Sequence, residues 1–131
     1  MSDRLSQYAP QALALLRIVT AVLFIHGGVG ILFNIPASTY PPPPPEMATL
    51  IMIAGILELV GGLFILVGFL TRPVAFILCG MMAVAYWGFH LPINPWPNNN
   101  LGVAAILYCF IFFYLFFAGL GAWSGDELRR G

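Results

Sequence analysis

The sequence predicts an all-α membrane protein, a single domain over residues 1–131 in which four transmembrane helices form one bundle. Three observations predict this class. The chain is 60% hydrophobic. Only 8% of its residues are charged, against about 25% in soluble domains. Its apolar residues gather in four segments, each long enough to cross a bilayer. Little chain remains outside these segments, so there is no room for a soluble catalytic domain.

The first predicted helix covers Ala12–Phe33. Arg17 interrupts its apolar run, and the run is longer than the 7–15 apolar residues of a signal peptide. We therefore expect this helix to stay in the protein. His26 is followed by Gly27 and Gly28, and such small residues allow a second helix to approach closely.

The second predicted helix covers Met47–Leu70 and follows five consecutive prolines, Pro41–Pro45. A proline run of this length adopts the stiff polyproline II conformation and extends about 15 Å. Two interpretations of the run stay open. It is either a rigid strap over the bundle or a docking surface for a partner outside the cytoplasm.

The third and fourth predicted helices cover Pro73–Phe89 and Leu101–Trp123. The two-residue link Thr71–Arg72 makes the second and third helices an antiparallel hairpin. Between the third and fourth helices, we expect Trp96 to anchor the loop at the bilayer surface. The run Ser124–Glu127 fits a capping box, which predicts a short helix after the fourth span.

The distribution of arginine predicts the orientation. The loops Asn34–Glu46 and His90–Asn100 contain no Arg or Lys, and cytoplasmic loops carry an excess of these residues. Both termini are therefore predicted in the cytoplasm, with Arg72 and Asp126 at the cytoplasmic surface. The cationic residues that set this orientation are Arg4, Arg17, Arg72, Arg129 and Arg130. The formal net charge of zero excludes nucleic acid as a partner on electrostatic grounds.

The two cysteines, Cys79 and Cys109, are predicted to be free thiols. Counted along their predicted helices at 1.5 Å per residue, they differ in depth by roughly 10 Å. That separation is too great for a disulfide, which needs Cα atoms about 4.4–6.8 Å apart. The chain has no C-x-x-C motif, which argues against a thiol-redox enzyme.

Glu58 is the most informative residue, because it lies at the centre of the second predicted helix. An ionisable group at the bilayer centre costs at least about 2.5 kcal/mol unless it finds a partner. Gly55, Glu58 and Gly62 share one helix face, so we predict that Glu58 faces the first helix, with His26 or Arg17 as its partner. Two roles stay open: a buried pair that fixes helix register, or a proton or ligand site.

Two cofactors fit the intramembrane polar groups. An aromatic-rich set in the third and fourth helices could form an apolar quinone pocket, with His26 and Glu58 as its polar groups; the set is Tyr86, Trp87, Tyr108 and Phe110–Phe113. Alternatively, His26 and His90 at similar heights could hold a b-type haem. Haem is the less favoured cofactor, because these are the two histidines of the whole chain. No metal-ligand cluster is predicted.

These residues together resemble the DoxX family. The resemblance runs from about residue 13 to residue 126 and rests on five short motifs in order: Leu16-Arg17, His26-Gly27, Glu58-x-x-Gly61-Gly62, Thr71-Arg72 and Gly121-x-x-Ser124-x-Asp126. It implies a small four-helix protein of the bacterial inner membrane. Family members are associated with thiosulfate:quinone oxidoreductase and terminal oxidase complexes, and others with oxidative-stress or thiol-handling membrane complexes.

Two features depart from the family pattern. Members often carry Gly-Gly-Glu at the start of the fourth helix, whereas this chain has Leu101-Gly102-Val103 and lacks the acidic residue. The proline run Pro41–Pro45 also lengthens the first outer loop.

Three functions follow as hypotheses. The first is an accessory, non-catalytic subunit of a larger membrane complex engaged in redox or energy transduction. The second is a quinone-reactive electron-transfer subunit, in which Glu58 takes up a proton, His26 hydrogen-bonds a quinone carbonyl and Arg17 tunes Glu58. The third is a small transporter subunit with Glu58 on the substrate path.

Overall fold

A computed structural model describes residues 2–126, and these residues form helices and turns without any strand. The described residues do not include Glu127, which belongs to the predicted capping box. They also do not include Arg129 and Arg130, which contribute to the predicted orientation. The described α-helices are α1 (Ser2–Ser6), α2 (Ala9–Phe33), α3 (Ala48–Val67), α4 (Thr71–Ala85), α5 (Pro97–Asn100) and α6 (Val103–Ala118). A 3₁₀ turn at Pro45–Met47 precedes α3, and a π-helical turn at Tyr86–His90 prolongs α4.

Three helical stretches of the described chain are long and apolar enough to cross a membrane. They are Ala9–Phe33, Pro45–Val67 and Thr71–His90. The fourth apolar helix, α6, has 16 residues, which at 1.5 Å per residue gives about 24 Å. The all-helical membrane class is therefore confirmed, whereas a fourth crossing by α6 stays a prediction.

The four long helices run alternately up and down. The backbone amide of Ala122, after α6, donates to the carbonyl of Pro10 in α2, and that of Asp126 donates to Gly68, after α3. The start of α2, the α3–α4 link and the segment after α6 therefore meet at one end of the bundle, called here the link end. The most extensive packing pairs α2 with α3 and α4 with α6, and α3 joins the two pairs through α4.

Helix ends differ from the predicted ones at the link end. The predicted fourth helix continued to Trp123, but α6 ends at Ala118, and Gly119 (φ 87°) and Gly121 (φ 69°) follow with left-handed backbone. Glycine adopts such φ values without steric cost, so the chain turns back over the bundle there. The predicted two-residue link Thr71–Arg72 is also wrong, because both residues lie in the first turn of α4.

The predicted depth difference between the two cysteines is wrong as well. Cys79 lies eight residues after the start of α4 and Cys109 nine residues before the end of α6, about 12 Å and 14 Å from the link end. The sequence estimate placed the end of the fourth helix five residues too late. The thiols are free, as expected, but their Sγ atoms lie 3.7 Å apart.

Candidate functional site

Glycines line the contact between α2 and α3 and allow the two backbones to meet. A Cβ added to Gly28 would lie 2.7 Å from the backbone nitrogen of Leu59 and 2.9 Å from the carbonyl oxygen of Gly55. A Cβ added to Gly62 would lie 2.6 Å from a side-chain carbon of Ile25. Because no side chain fits at these positions, the two helices approach more closely than bulky residues would permit.

Glu58 lies in this contact and faces α2, as predicted. A Cβ added to Gly27 would lie 2.7 Å from Glu58 Oε2, so the carboxyl group fills the space above the missing side chain of Gly27. Glu58 is partly buried. Within residues 2–126 the carboxyl group has no hydrogen bond or ion pair. The glycine spacing of α2 therefore provides the room for Glu58 but does not provide a partner.

Arg17 is the first of the two partners predicted for Glu58, and that prediction is wrong. The Arg17 side chain is fully buried, and its guanidinium group points to the link end. Nη1 donates to the carbonyl oxygens of Leu120 (2.5 Å) and Ala122 (3.1 Å), and Nη2 donates to that of Trp123 (2.7 Å). The early end of α6 releases these carbonyls from helical hydrogen bonding, so they attract the cation away from Glu58.

His26, the second predicted partner, does not bind Glu58 either. Its side chain is exposed and lines an open cleft of about 970 Å³ between α2 and the loop that carries the proline run. Gly27 and Gly30 also line this cleft. Gly27 is the residue against which the Glu58 carboxyl group lies. His26 is thus near the site along α2, at the wall of a space that a small molecule can enter.

Tyr108 of α6 packs against α2 through aromatic contacts. The Tyr108 ring meets Phe24 of α2 edge-on with centroids 5.1 Å apart, and Phe24 meets Phe112 in the same way at 5.0 Å. These rings form an apolar wall between the two helix pairs. The sequence placed Tyr108 in the aromatic set of the predicted quinone pocket, whose polar groups are His26 and Glu58, and the contact with Phe24 brings this member of the set to α2.

His90 belongs to a separate polar cluster at the opposite end of the bundle. His90 Nδ1 hydrogen-bonds the backbone oxygen of Asn100 at 2.9 Å. The Asn100 side chain is fully buried. It donates to the carbonyl of Asn94 and accepts from the backbone amide of Gly102, both at 2.8 Å. Haem ligation by His90 and His26 stays a prediction.

Asp126 lies at the link end, the end that also carries Arg72, and its side chain is buried there. It is 7% exposed, and its carboxylate accepts hydrogen bonds from the backbone amides of Leu70 (3.1 Å) and Thr71 (3.4 Å). Negative charge at a helix start is favourable because the first amides of a helix have no intrahelical acceptor. Asp126 therefore fastens the C-terminal segment to the start of α4, whereas the side chain of Arg72 is exposed. The cytoplasmic position of both residues stays a prediction.

Comparison with known proteins gives two matches. The family model described as DoxX matches residues 12–91. An uncharacterized protein of Haemophilus influenzae is 35% identical over 128 residues, which cover 95% of this chain and 96% of that protein. No solved structure matches the chain. The family match includes Arg17, His26 and Glu58, and the similarity to the relative covers most of the chain.

Proposed function

This chain belongs to the DoxX family of membrane proteins, and on that premise we propose that it is a small subunit of a larger redox complex in the bacterial inner membrane. Both termini are then in the cytoplasm. Within the complex, Glu58 provides a carboxyl group that hydrogen-bonds a membrane-soluble quinone and exchanges a proton with it.

The unpartnered state of Glu58 carries the proposal. A carboxylate near the middle of an apolar helix is costly to desolvate, and only a partner, a proton or a ligand offsets that cost. Arg17, the cation that could have neutralised it, is held by three carbonyls at the link end. A purely structural pair is thereby disfavoured. A protonated carboxyl group can instead donate to a quinone carbonyl oxygen and pass its proton as that oxygen is reduced.

An apolar stripe on α6 supports membership of a larger complex. Leu107, Phe110 and Tyr114 are 58%, 64% and 55% exposed, and their spacing of three and four residues places them on one face of the helix. Aromatic side chains contribute a large contact area at protein interfaces. The stripe would pack against a neighbouring membrane subunit, and co-purification distinguishes such a neighbour from lipid.

The first test is gentle extraction of the tagged protein from native membranes, followed by identification of the co-purifying chains and a visible absorption spectrum. Stoichiometric redox subunits are expected. A protein that is always recovered alone and monomeric would refute the subunit role. It would not by itself refute binding of quinone at Glu58.

The second test compares Glu58→Gln with Glu46→Gln in the isolated complex. Glu46 is exposed, outside the bundle, so its substitution serves as a matched control. We expect Glu58→Gln to lower quinone reduction by at least about 100-fold, the usual contribution of a general acid or base, with unchanged assembly. Equal turnover of the two variants would eliminate Glu58 as the proton-exchanging group.

A transporter subunit is the second candidate, and the open cleft of about 970 Å³ favours it. The cleft is accessible from the end of the bundle opposite the link end and reaches Gly27, beside the Glu58 carboxyl group. Solute flux in proteoliposomes that contain this chain alone would support transport. Flux that Glu58→Gln leaves unchanged would remove Glu58 from the path.

A further inference from the structure

The two thiols of the chain form a pair that no local motif encodes. Cys79 on α4 and Cys109 on α6 are 30 positions apart in sequence, and their Sγ atoms lie 3.7 Å apart. A disulfide bond is about 2.05 Å long. Closing the pair therefore requires the sulfurs to approach by about 1.7 Å, a displacement within reach of side-chain rotation between two helices that already pack together.

An apolar groove leads from the surface of the bundle to Cys79, one thiol of this pair. Its volume is about 230 Å³, and Cys79 lines it with Phe76, Gly80 and three phenylalanines of α6. Gly80 leaves the groove open, because nothing lies within 4 Å of the position that its Cβ would occupy. Phe76 and Phe117 are exposed at its rim. A flat apolar ring suits such an aromatic lining better than a charged or strongly hydrated molecule.

The depth of the pair decides which redox partners can reach it. Both cysteines lie about 12–14 Å from the link end along their helices, in the interior of a hydrocarbon layer about 30 Å thick. Water-soluble reductants and oxidants of the cytoplasm do not enter that layer. Membrane-soluble quinones do enter it, and they have the flat ring that the groove fits.

We propose that Cys79 and Cys109 are a redox-active dithiol that reduces a membrane-soluble quinone and closes to an intramolecular disulfide between α4 and α6. Two S–H bonds break and one S–S bond forms. The two electrons and two protons pass to the quinone, whose two carbonyl oxygens become the hydroxyl groups of the quinol. The site lies on a different helix pair from Glu58, and its chemistry does not depend on the role proposed for Glu58.

The test counts free thiols on the full-length protein in membranes. Reduced membranes are incubated without oxygen with a short-chain quinone whose ring is fully substituted, because such a ring cannot alkylate a thiol. The protein is then quenched in acid, unfolded in detergent and labelled with a maleimide polymer that shifts its mass on a gel. The chain has two cysteines, so none, one or two shifts are possible.

In the wild type, we expect two mass shifts before the quinone is added and none in most molecules afterwards. The matched variants Cys79→Ala and Cys109→Ala should keep one shift under both conditions, because neither can form an intramolecular bond. Glu58→Gln should close its disulfide like the wild type, which separates failure of this site from failure of the Glu58 proposal.

Three outcomes would overturn the proposal. The wild type could retain both shifts after quinone. The single-cysteine variants could lose their shift, which would show oxidation without a pair. Finally, the small permeable oxidant diamide could close the disulfide while the quinone does not, which would refute the quinone as the oxidant. Gel filtration of each variant in detergent checks that it is folded.

Discussion

A substitution of Gly28 by alanine should push α2 and α3 apart, and its effect can be worked from the structure. The new Cβ would lie 2.7 Å from the backbone nitrogen of Leu59, about 0.7 Å short of ordinary contact at 3.4 Å, and 2.9 Å from the carbonyl oxygen of Gly55. Both neighbours are backbone atoms and cannot move aside by changing a rotamer. The helices themselves must separate, and overpacking of this kind costs about 1–3 kcal/mol.

Gly30→Ala is the matched control for this prediction. Gly30 lies on the same helix two residues later, and nothing is within 4 Å of its Cβ position. Alanine gains about 1 kcal/mol over glycine in helix propensity at either position, so this gain cancels when the two variants are compared. We therefore expect Gly28→Ala to be about 1–3 kcal/mol less stable than Gly30→Ala.

The assay is the free energy of unfolding in mixed micelles, obtained by titration with a denaturing detergent and followed by circular dichroism. Gly30→Ala should be at least as stable as the wild type. Surface substitutions usually change the free energy of unfolding by no more than about 0.5 kcal/mol. If the free energies of unfolding of the two variants agreed within this value, the close backbone contact between α2 and α3 would be refuted.

Two further predictions concern the link end. Arg17→Met should lower the free energy of unfolding by about 3 kcal/mol, because three hydrogen bonds from a charged donor contribute roughly 1.5–3 kcal/mol each and the relief of burying the charge offsets part of their loss. The control is Arg4→Met, at an exposed arginine, measured in the same detergent titration. Equal effects of the two substitutions would contradict the hydrogen bonds assigned to Arg17. Asp126→Asn should lower the free energy of unfolding by about 1–2 kcal/mol, because a neutral amide oxygen accepts weaker hydrogen bonds from the α4 amides than a carboxylate does. It should also expose the C-terminal segment to limited proteolysis, whereas the control Asp3→Asn, at an exposed residue, should not. Unchanged proteolysis of Asp126→Asn would argue that Asp126 does not hold this segment to α4.

The sequence predicted the helices well but their ends less well. The apolar segments fixed the centres of α2, α3 and α4, since any chain with that composition is driven into lipid and must satisfy its backbone by helix formation. The fourth helix was predicted to reach Trp123 but ends at Ala118. Residues 119–123 carry no charged side chain that would mark an end of the apolar run, and the turn there depends on two glycines and on the guanidinium group of Arg17 from α2.

The candidate site, too, was predictable from the sequence only in part. The three- and four-residue spacing of Gly55, Glu58 and Gly62 was enough to predict the face of α3 that meets α2, because helical periodicity is a local property. The partner of Glu58 was not predictable, since depth counted along a helix gives neither the direction of a long side chain nor the competing acceptors. Three carbonyls at the link end hold Arg17, and sequence spacing carries no sign of them.

The sequence by itself determined the membrane class, the apolar helices, the glycine face of α3 and the resemblance to the DoxX family, because composition and periodicity act along a single segment. The tertiary structure alone decided that Arg17 fastens the C-terminal segment, that Glu58 has no partner in the described chain, and that Cys79 and Cys109 face one another. Each of these depends on where a helix ends and which neighbour it packs against. Contacts between segments far apart in sequence determine the helix ends and the packing neighbours, and no local sequence pattern encodes these contacts.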